Sequence, residues 1–243
     1  MTELIKDFTN CYERYFRVVK ADTPSLLDQV YRLRYQVYCI ENPFEDPEEH
    51  PDGREKDEYD ERSDHVLLVH RDSGAAIGTA RLILPQCASG SGLFPIQRIL
   101  APNNRKDFER LPLNRTAEIS RFAVGKEMRR CWRDRLLPRT AFPGIVRELR
   151  AGEKLLTRYI TFGLLRGVLD MCMEHAILYL AAVMEPALIR ALARLGLDFE
   201  PIGGQVDYHG IRQPCIVRLA DLVERSRGRR TPLWQYLSAA AGF

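Results

Sequence analysis

The stretch LLTRYITFGLLRGVLDMCMEH, residues 155–175, followed by AILYLAAV, residues 176–183, decides the fold class. In the first part Leu155, Ile160, Leu164, Leu165, Val168 and Leu169 recur at helical spacing, which predicts a long helix. The second part is a continuous apolar run too short for another helix, the pattern of a strand buried on both faces. A long helix feeding such a strand predicts a parallel partner before the helix. The segment TAEISRFAV, residues 116–124, reads as that earlier strand.

Working outward, Thr23-Pro24 predicts a helix start, a capping hydroxyl followed by proline, with Leu27, Val30, Tyr31, Arg34 and Tyr38 on one face to about Cys39. Residues His65 to Arg71 and Ala75 to Leu84 read as strands joined across Asp72-Ser73-Gly74. Pro85 to Arg115 reads as a long excursion. Downstream, Glu185-Pro186 opens a helix through Leu195 closed by Gly196, and Val206 to Tyr208 with Cys215 to Leu219 reads as a final strand pair. A short helix around Trp234 to Ala240 completes the reading. The order predicts one α/β domain over residues 1–243, with insertions at about 85–115 and 126–154, a largely antiparallel front half and a parallel pairing across the long helix.

A chain of 243 residues that is 45% hydrophobic and 28% charged has the composition of a globular protein. The formal net charge of +3 is too small to imply a nucleic-acid partner. The first sixteen residues interleave Glu3, Lys6, Asp7, Glu13 and Arg14 with apolar positions, unlike a secretory signal, and the longest apolar run, Ala176 to Met184, is about half a bilayer span, so no transmembrane segment and a cytoplasmic location are expected. Cys11, Cys39, Cys87, Cys131, Cys172 and Cys215 form no CxxC pair, and His50, His65, His70, His175 and His209 no metal-ligand spacing. Reduced thiols and no metal are expected.

Charge is patterned locally. Residues 41–64 hold twelve acidic groups against three basic ones and read mostly as solvated loop. Residues 126–158 hold ten basic groups against four acidic ones. This basic segment reads either as a solvated helix face or as a docking surface for an acidic partner.

Three clusters place charge where burial is expected: Asp57-Glu58-Tyr59-Asp60 before the first strand of the hairpin, Arg81 in Gly78-Thr79-Ala80-Arg81, and Glu118-Ile119-Ser120-Arg121-Phe122. Half-buried charges are costly unless paired, which predicts that they find one another, with Arg34 of the first helix as a further member. In an unbroken strand Glu118 and Arg121 would face opposite sides, so a bulge between them is needed to bring both to one site.

An arginine on the first helix, DxYD, GxxR and ExSRF, in this order, resemble the pattern of the acyl-homoserine-lactone (autoinducer) synthases and the related N-acyl amino acid synthases, including the group associated with PEP-CTERM/exosortase sorting. The resemblance covers roughly the N-terminal half. It implies an acetyltransferase-like (GNAT) fold, with a mixed, mostly antiparallel central sheet flanked by helices. It implies an N-acyltransferase that moves a long-chain fatty acyl group from the phosphopantetheine of acyl carrier protein, or from acyl-CoA, to the amino group of an amino acid or similar small amine, with no tightly bound cofactor.

The resemblance assigns Glu118, Ser120 and Arg121 to catalysis, with Glu118 as general base. It assigns Arg34, Asp57, Asp60, Arg81, Phe122 and Val124 to substrate binding. In the docking reading, Arg129, Arg130, Arg133 and Arg135 meet the acidic carrier protein. The chain departs from the autoinducer synthases after Tyr38, where Cys39-Ile40-Glu41-Asn42 includes no tryptophan, which favours an amino acid over S-adenosylmethionine as acceptor. An autoinducer synthase and a non-catalytic acyl-carrier-binding regulator are the alternatives.

The chemistry is coherent with those residue types. An amine attacks a thioester only as the free base, so a carboxylate must take its proton. A neighbouring cation would lower the basicity of Glu118 and burial would raise it. Backbone N–H groups near Ser120 to Val124 are the expected donors to the oxyanion.

Overall fold

A computed structural model describes residues 13, 16–86, 93–126, 153–194, 196–208 and 210–229. In chain order the elements are β1 (Phe16–Lys20), α1 (Pro24–Tyr35), β2 (Ser63–His70), β3 (Ala76–Ile83), α2 (Pro95–Ile99), α3 (Pro102–Glu109), β4 (Thr116–Val124), α4 (Glu153–Glu174), β5 (Tyr179–Met184), α5 (Pro186–Arg194), β6 (Glu200–Pro201), β7 (Val206–Asp207), β8 (Ile211–Arg218) and α6 (Leu219–Arg229). Strand order is β1-β2-β3-β4-β5-β8-β6, with β7 on β8. The β1/β2, β5/β8, β6/β8 and β7/β8 pairs are antiparallel; β4/β5 is parallel, Thr116 opposite Tyr179 through Ile119 opposite Ala182. The crossover through α4 is the one its sequence predicts.

The residues group into two compact units. One holds the described residues up to Asp57, His65–Ala80, and those from Arg121 to Gly167; the other holds Glu58–Asp64, Arg81–Ser120, and those from Val168 onward.

In the first unit, the Thr23 side chain accepts from the Leu26 N–H at 3.3 Å and Pro24 occupies the first turn of α1, as the sequence predicts. The helix then widens into a π turn over Gln36–Glu41, whose last bond runs from the Asn42 N–H to the Val37 carbonyl at 3.0 Å. Val30, Leu33 and Val37 pack with Leu67, Val69, Ala21 and Ala123. Within β2 the residues His65 to His70 are all buried, the signature of a strand covered on both faces. At Gly167, an added Cβ would lie 2.3 Å from Cγ2 of Val66 and 2.9 Å from Cγ1 of Val18. Gly167→Ala is therefore expected to destabilise by about 2 kcal/mol, although Gly→Ala inside a helix ordinarily stabilises by about 1 kcal/mol. A lower urea midpoint at unchanged slope checks it.

In the second unit, Ile83, Phe94, Ile96, Leu100, Phe108 and Ala181 form the core. The excursion after β3 is thus structural: Phe94, at the N-cap of α2, and Phe108 of α3 meet edge-on with ring centres 6.4 Å apart. Its start is tied by Arg62, which donates to the Leu84 carbonyl at 3.0 Å and to the Leu93 carbonyl, just before α2, at 2.8 Å.

Several sequence expectations shift. β1 and β6 were not expected. The last strand, β8, begins at Ile211 rather than Cys215, and Leu219–Arg229 is a helix. Cys39, Cys172 and Cys215 are buried free thiols, pushed up to about 11, 12 and 12 first of all by burial. Cys11, Cys87, Cys131, His209, the tail near Trp234, and Arg129, Arg130, Arg133 and Arg135 lie outside the described residues. Among the described residues no helix is long and apolar enough to cross a membrane.

Candidate active site

The residues singled out from sequence fall into ion clusters, one in each unit. In the first unit the central anion is Glu55, a residue sequence reasoning passed over as part of the acidic loop. The loop is fastened down instead: the Glu55 N–H donates to the Tyr31 carbonyl at 3.1 Å, and the neighbouring Arg54 Nε donates to Asp28 at 2.6 Å. The Glu55 carboxylate, 1% exposed, then meets two guanidinium groups. Arg34 Nε, at 2.5 Å, is itself fully buried, and Arg121 donates through Nε at 3.1 Å and Nη2 at 3.0 Å. Arg121 also reaches Glu45 at 2.8 Å and Asp57 at 3.4 Å, and its guanidinium lies 5.3 Å from the centre of the Tyr38 ring.

Charge balance explains how this cluster survives burial. Burial pushes the Glu55 carboxyl up, but Arg34 and Arg121 outweigh it and hold the group below the usual carboxylate range. Burial likewise lowers the Arg121 guanidinium, and Glu55, Glu45 and Asp57 more than reverse that. Three carboxylates face two guanidinium groups, a net charge of −1 when all are ionised. The backbone at Arg121 is left-handed, φ 47°, so the regular alternation of β4 is interrupted there. A non-glycine residue in that region costs about 1–3 kcal/mol and persists only where its surroundings hold it, here through three ion pairs.

The second unit holds Glu118, Ser120, Arg81 and Asp60. Arg81, 1% exposed, donates through Nη1 to Asp60 at 3.0 Å and through Nε to the Ser120 hydroxyl at 3.0 Å. It is a buried linker, not a side chain reaching for water. Glu118, also buried, accepts from the Ile96 N–H at 3.0 Å. Burial is the largest influence on it and raises its pKa to about 7, against the opposing Ile96 N–H, Arg81 and Arg62. The competition that sequence alone left open is therefore won by desolvation. Tyr59 sits among Arg62, Arg81 and Arg98, with guanidinium carbons 5.5, 5.8 and 5.3 Å from its ring centre.

Phe122 and Val124 follow Arg121 in β4 and are half-buried. Among the described residues, Asp64, Glu174 and His175 are the group with the donor set for a cation, their ligand atoms within 4.8 Å of one another; His175 Nε2 and Asp64 pair at 2.8 Å.

A carboxyl poised near neutrality beside a buried Asp–Arg–Ser chain can exchange a proton at physiological pH. Residues 33–137 match the family described as acetyltransferase (GNAT) domain. No curated protein matches the sequence. Among solved structures, the chain is similar to TofI in a ternary complex with an inhibitor and MTA, at 19% identity over 88% of this chain and 96% of that one, TM-score 0.56. It is similar to the CoA-dependent acyl-homoserine lactone synthase BjaI with SAM and isopentyl-CoA, at 19% over 94% and 90%, TM-score 0.53. It is similar to FeeM, an N-acyl amino acid synthase from uncultured soil microbes, at 15% over 87% and 94%, TM-score 0.52. The chain has the fold of these structures and, with residues 33–137 matching the GNAT domain family, this is the acetyltransferase-like fold that the motif order implied.

Proposed function

We propose that this chain, with its GNAT acetyltransferase domain, is a cytoplasmic N-acyltransferase that moves a long-chain fatty acyl group from acyl carrier protein or acyl-CoA to the amino group of an amino acid or similar small amine. The observation that carries this reading is Glu118, a fully buried carboxyl raised to about 7 and fixed by the Ile96 N–H. An acceptor ammonium gives one proton to the Glu118 carboxylate, and the free amine attacks the thioester carbonyl. A C–N bond forms, the C–S bond breaks with its electron pair on sulfur, and the thiolate takes up a proton as it leaves. Net, one thioester and one ammonium give one amide, one thiol and one proton. Backbone N–H groups of β4 from Ser120 onward are the donors for the oxyanion, and Arg81 with Asp60 fixes the Ser120 hydroxyl. Arg34, Asp57 and Arg121 bind the acceptor in this reading, and the arginines at 129, 130, 133 and 135 dock the carrier protein.

A second reading, an acyl-homoserine-lactone synthase using S-adenosylmethionine, draws on a specific observation. The net negative balance of Glu45, Glu55 and Asp57 over Arg34 and Arg121 suits a cationic acceptor. The stretch after Tyr38, with no tryptophan through Asn42, favours the amino-acid acceptor.

Mass spectrometry of products from the purified protein separates these readings. The reaction contains long-chain acyl carrier protein or acyl-CoA, mixed amino acids and S-adenosylmethionine. An acyl amino acid is the expected product. An acyl lactone transfers the assignment to the second reading, and neither product from either donor overturns the enzyme.

A further inference from the structure

The excursion between β3 and β4 contributes more than core to the second unit. Its helix α2 begins with a reciprocal turn: the Phe94 N–H donates to the side-chain carbonyl of Gln97 at 2.9 Å, and the Gln97 N–H donates to the Phe94 carbonyl at 3.0 Å. Gln97 is 2% exposed, an uncommon place for an amide side chain unless it is hydrogen-bonded. Inside that closed turn lies Ile96, whose N–H is the backbone donor to Glu118.

We propose that Gln97 is a positioning residue for Glu118: by closing the Phe94–Gln97 turn, its side-chain carbonyl keeps the Ile96 N–H aimed at the Glu118 carboxylate. This rests on the reading of Glu118 as the base. A donor on the charged form favours ionisation, so the turn opposes the upward push that burial gives the Glu118 carboxyl. The other groups that act on Glu118 are Arg81 from β3, Arg62 and Tyr59 from the segment before β2, and the Cys215 thiol from β8, with Asp60 acting through its pair with Arg81. None of them depends on Gln97 for the hydrogen bonds described above.

The test is a titration of the Glu118 side-chain carboxyl by ¹³C NMR in protein labelled at glutamate, its signal identified by its absence from Glu118→Gln. In Gln97→Met, which keeps the volume and removes the acceptor, the midpoint is expected to rise by about one pH unit relative to wild type. Gln97→Ala should shift it in the same direction. In the wild-type protein the Ile96 amide shift should follow the same midpoint. With the acceptor amine held the same, kcat/KM of Gln97→Met should fall about eightfold at pH 6.5 and less than about twofold at pH 9. An unmoved midpoint, an Ile96 amide that does not follow it, or an equal loss of kcat/KM at every pH overturns the inference. The carboxyl titration needs no turnover, so a protein that makes no acyl amine would overturn the proposed function while the midpoint still judged Gln97.

Discussion

Glu118→Gln is expected to lower turnover by about 10²–10⁴-fold at pH 8, the range supplied by a positioned general base, while making the protein more stable. The two effects share one cause. The Glu118 carboxyl has an ordinary value of 4.5 and stands at about 7 in the folded chain, with burial as the largest influence. A folded value above the unfolded one means that the folded state binds the proton more tightly. The contribution of this group to stability is then fully present below about 4.5 and is lost as pH rises through about 7. At about 1.4 kcal/mol per pH unit, the wild-type protein gives up ~3 kcal/mol from this group between those limits, whereas a neutral glutamine does not titrate. Thermal unfolding of the two proteins at pH 4, 6 and 8 checks this: the advantage of Glu118→Gln should be near zero at pH 4 and largest at pH 8. Equal turnover would remove Glu118 as the base, and an advantage that did not grow with pH would remove the raised pKa.

Glu55→Ala is expected to cost about 3–5 kcal/mol, the penalty for removing one partner of a buried ion pair. That is a large part of the roughly 5–15 kcal/mol available to a folded domain. The fully buried Arg34 would lose the partner it holds at 2.5 Å, and Arg121 would lose one of its three carboxylates. Because Glu55 is held below the usual carboxylate range, its contribution is present above the unfolded value and is lost as pH falls through the folded one. Denaturant midpoints at pH 7 should therefore separate Glu55→Ala strongly from Asp107→Ala, which breaks an exposed pair with Arg110 and should leave the midpoint unchanged. If both variants unfold alike, the central place given to Glu55 is wrong.

The elements read most closely from sequence are those whose signals are local. Thr116–Val124 was legible at both ends, α4 to within about two residues, and the start of α1 at its cap, because periodicity and capping act over one or two turns. β1 escaped because FRVVK is a five-residue edge strand without clean alternation. The π turn at Gln36–Glu41 escaped because it continues the apolar pattern of α1. Arg34, Arg81, Glu118 and Arg121 were legible as charges in apolar surroundings, and Asp57 and Asp60 through the DxYD pattern of the resemblance. Glu55 was not, since it stands among eleven other acidic residues between 41 and 64 and nothing in its own neighbourhood sets it apart.

What the sequence determined by itself was the order of helices and strands, the parallel crossover through α4, and which charged residues would need partners. Only the tertiary structure decided that Glu55 bridges Arg34 and Arg121, that Arg81 joins Asp60 to Ser120, and that Glu118 rests on a backbone N–H from a turn closed by Gln97. The reason is the range of the forces involved. Caps and apolar periods are written between residues a few positions apart, whereas the cost of burying a charge, and the partner that offsets it, depend on segments that meet only when the chain is folded.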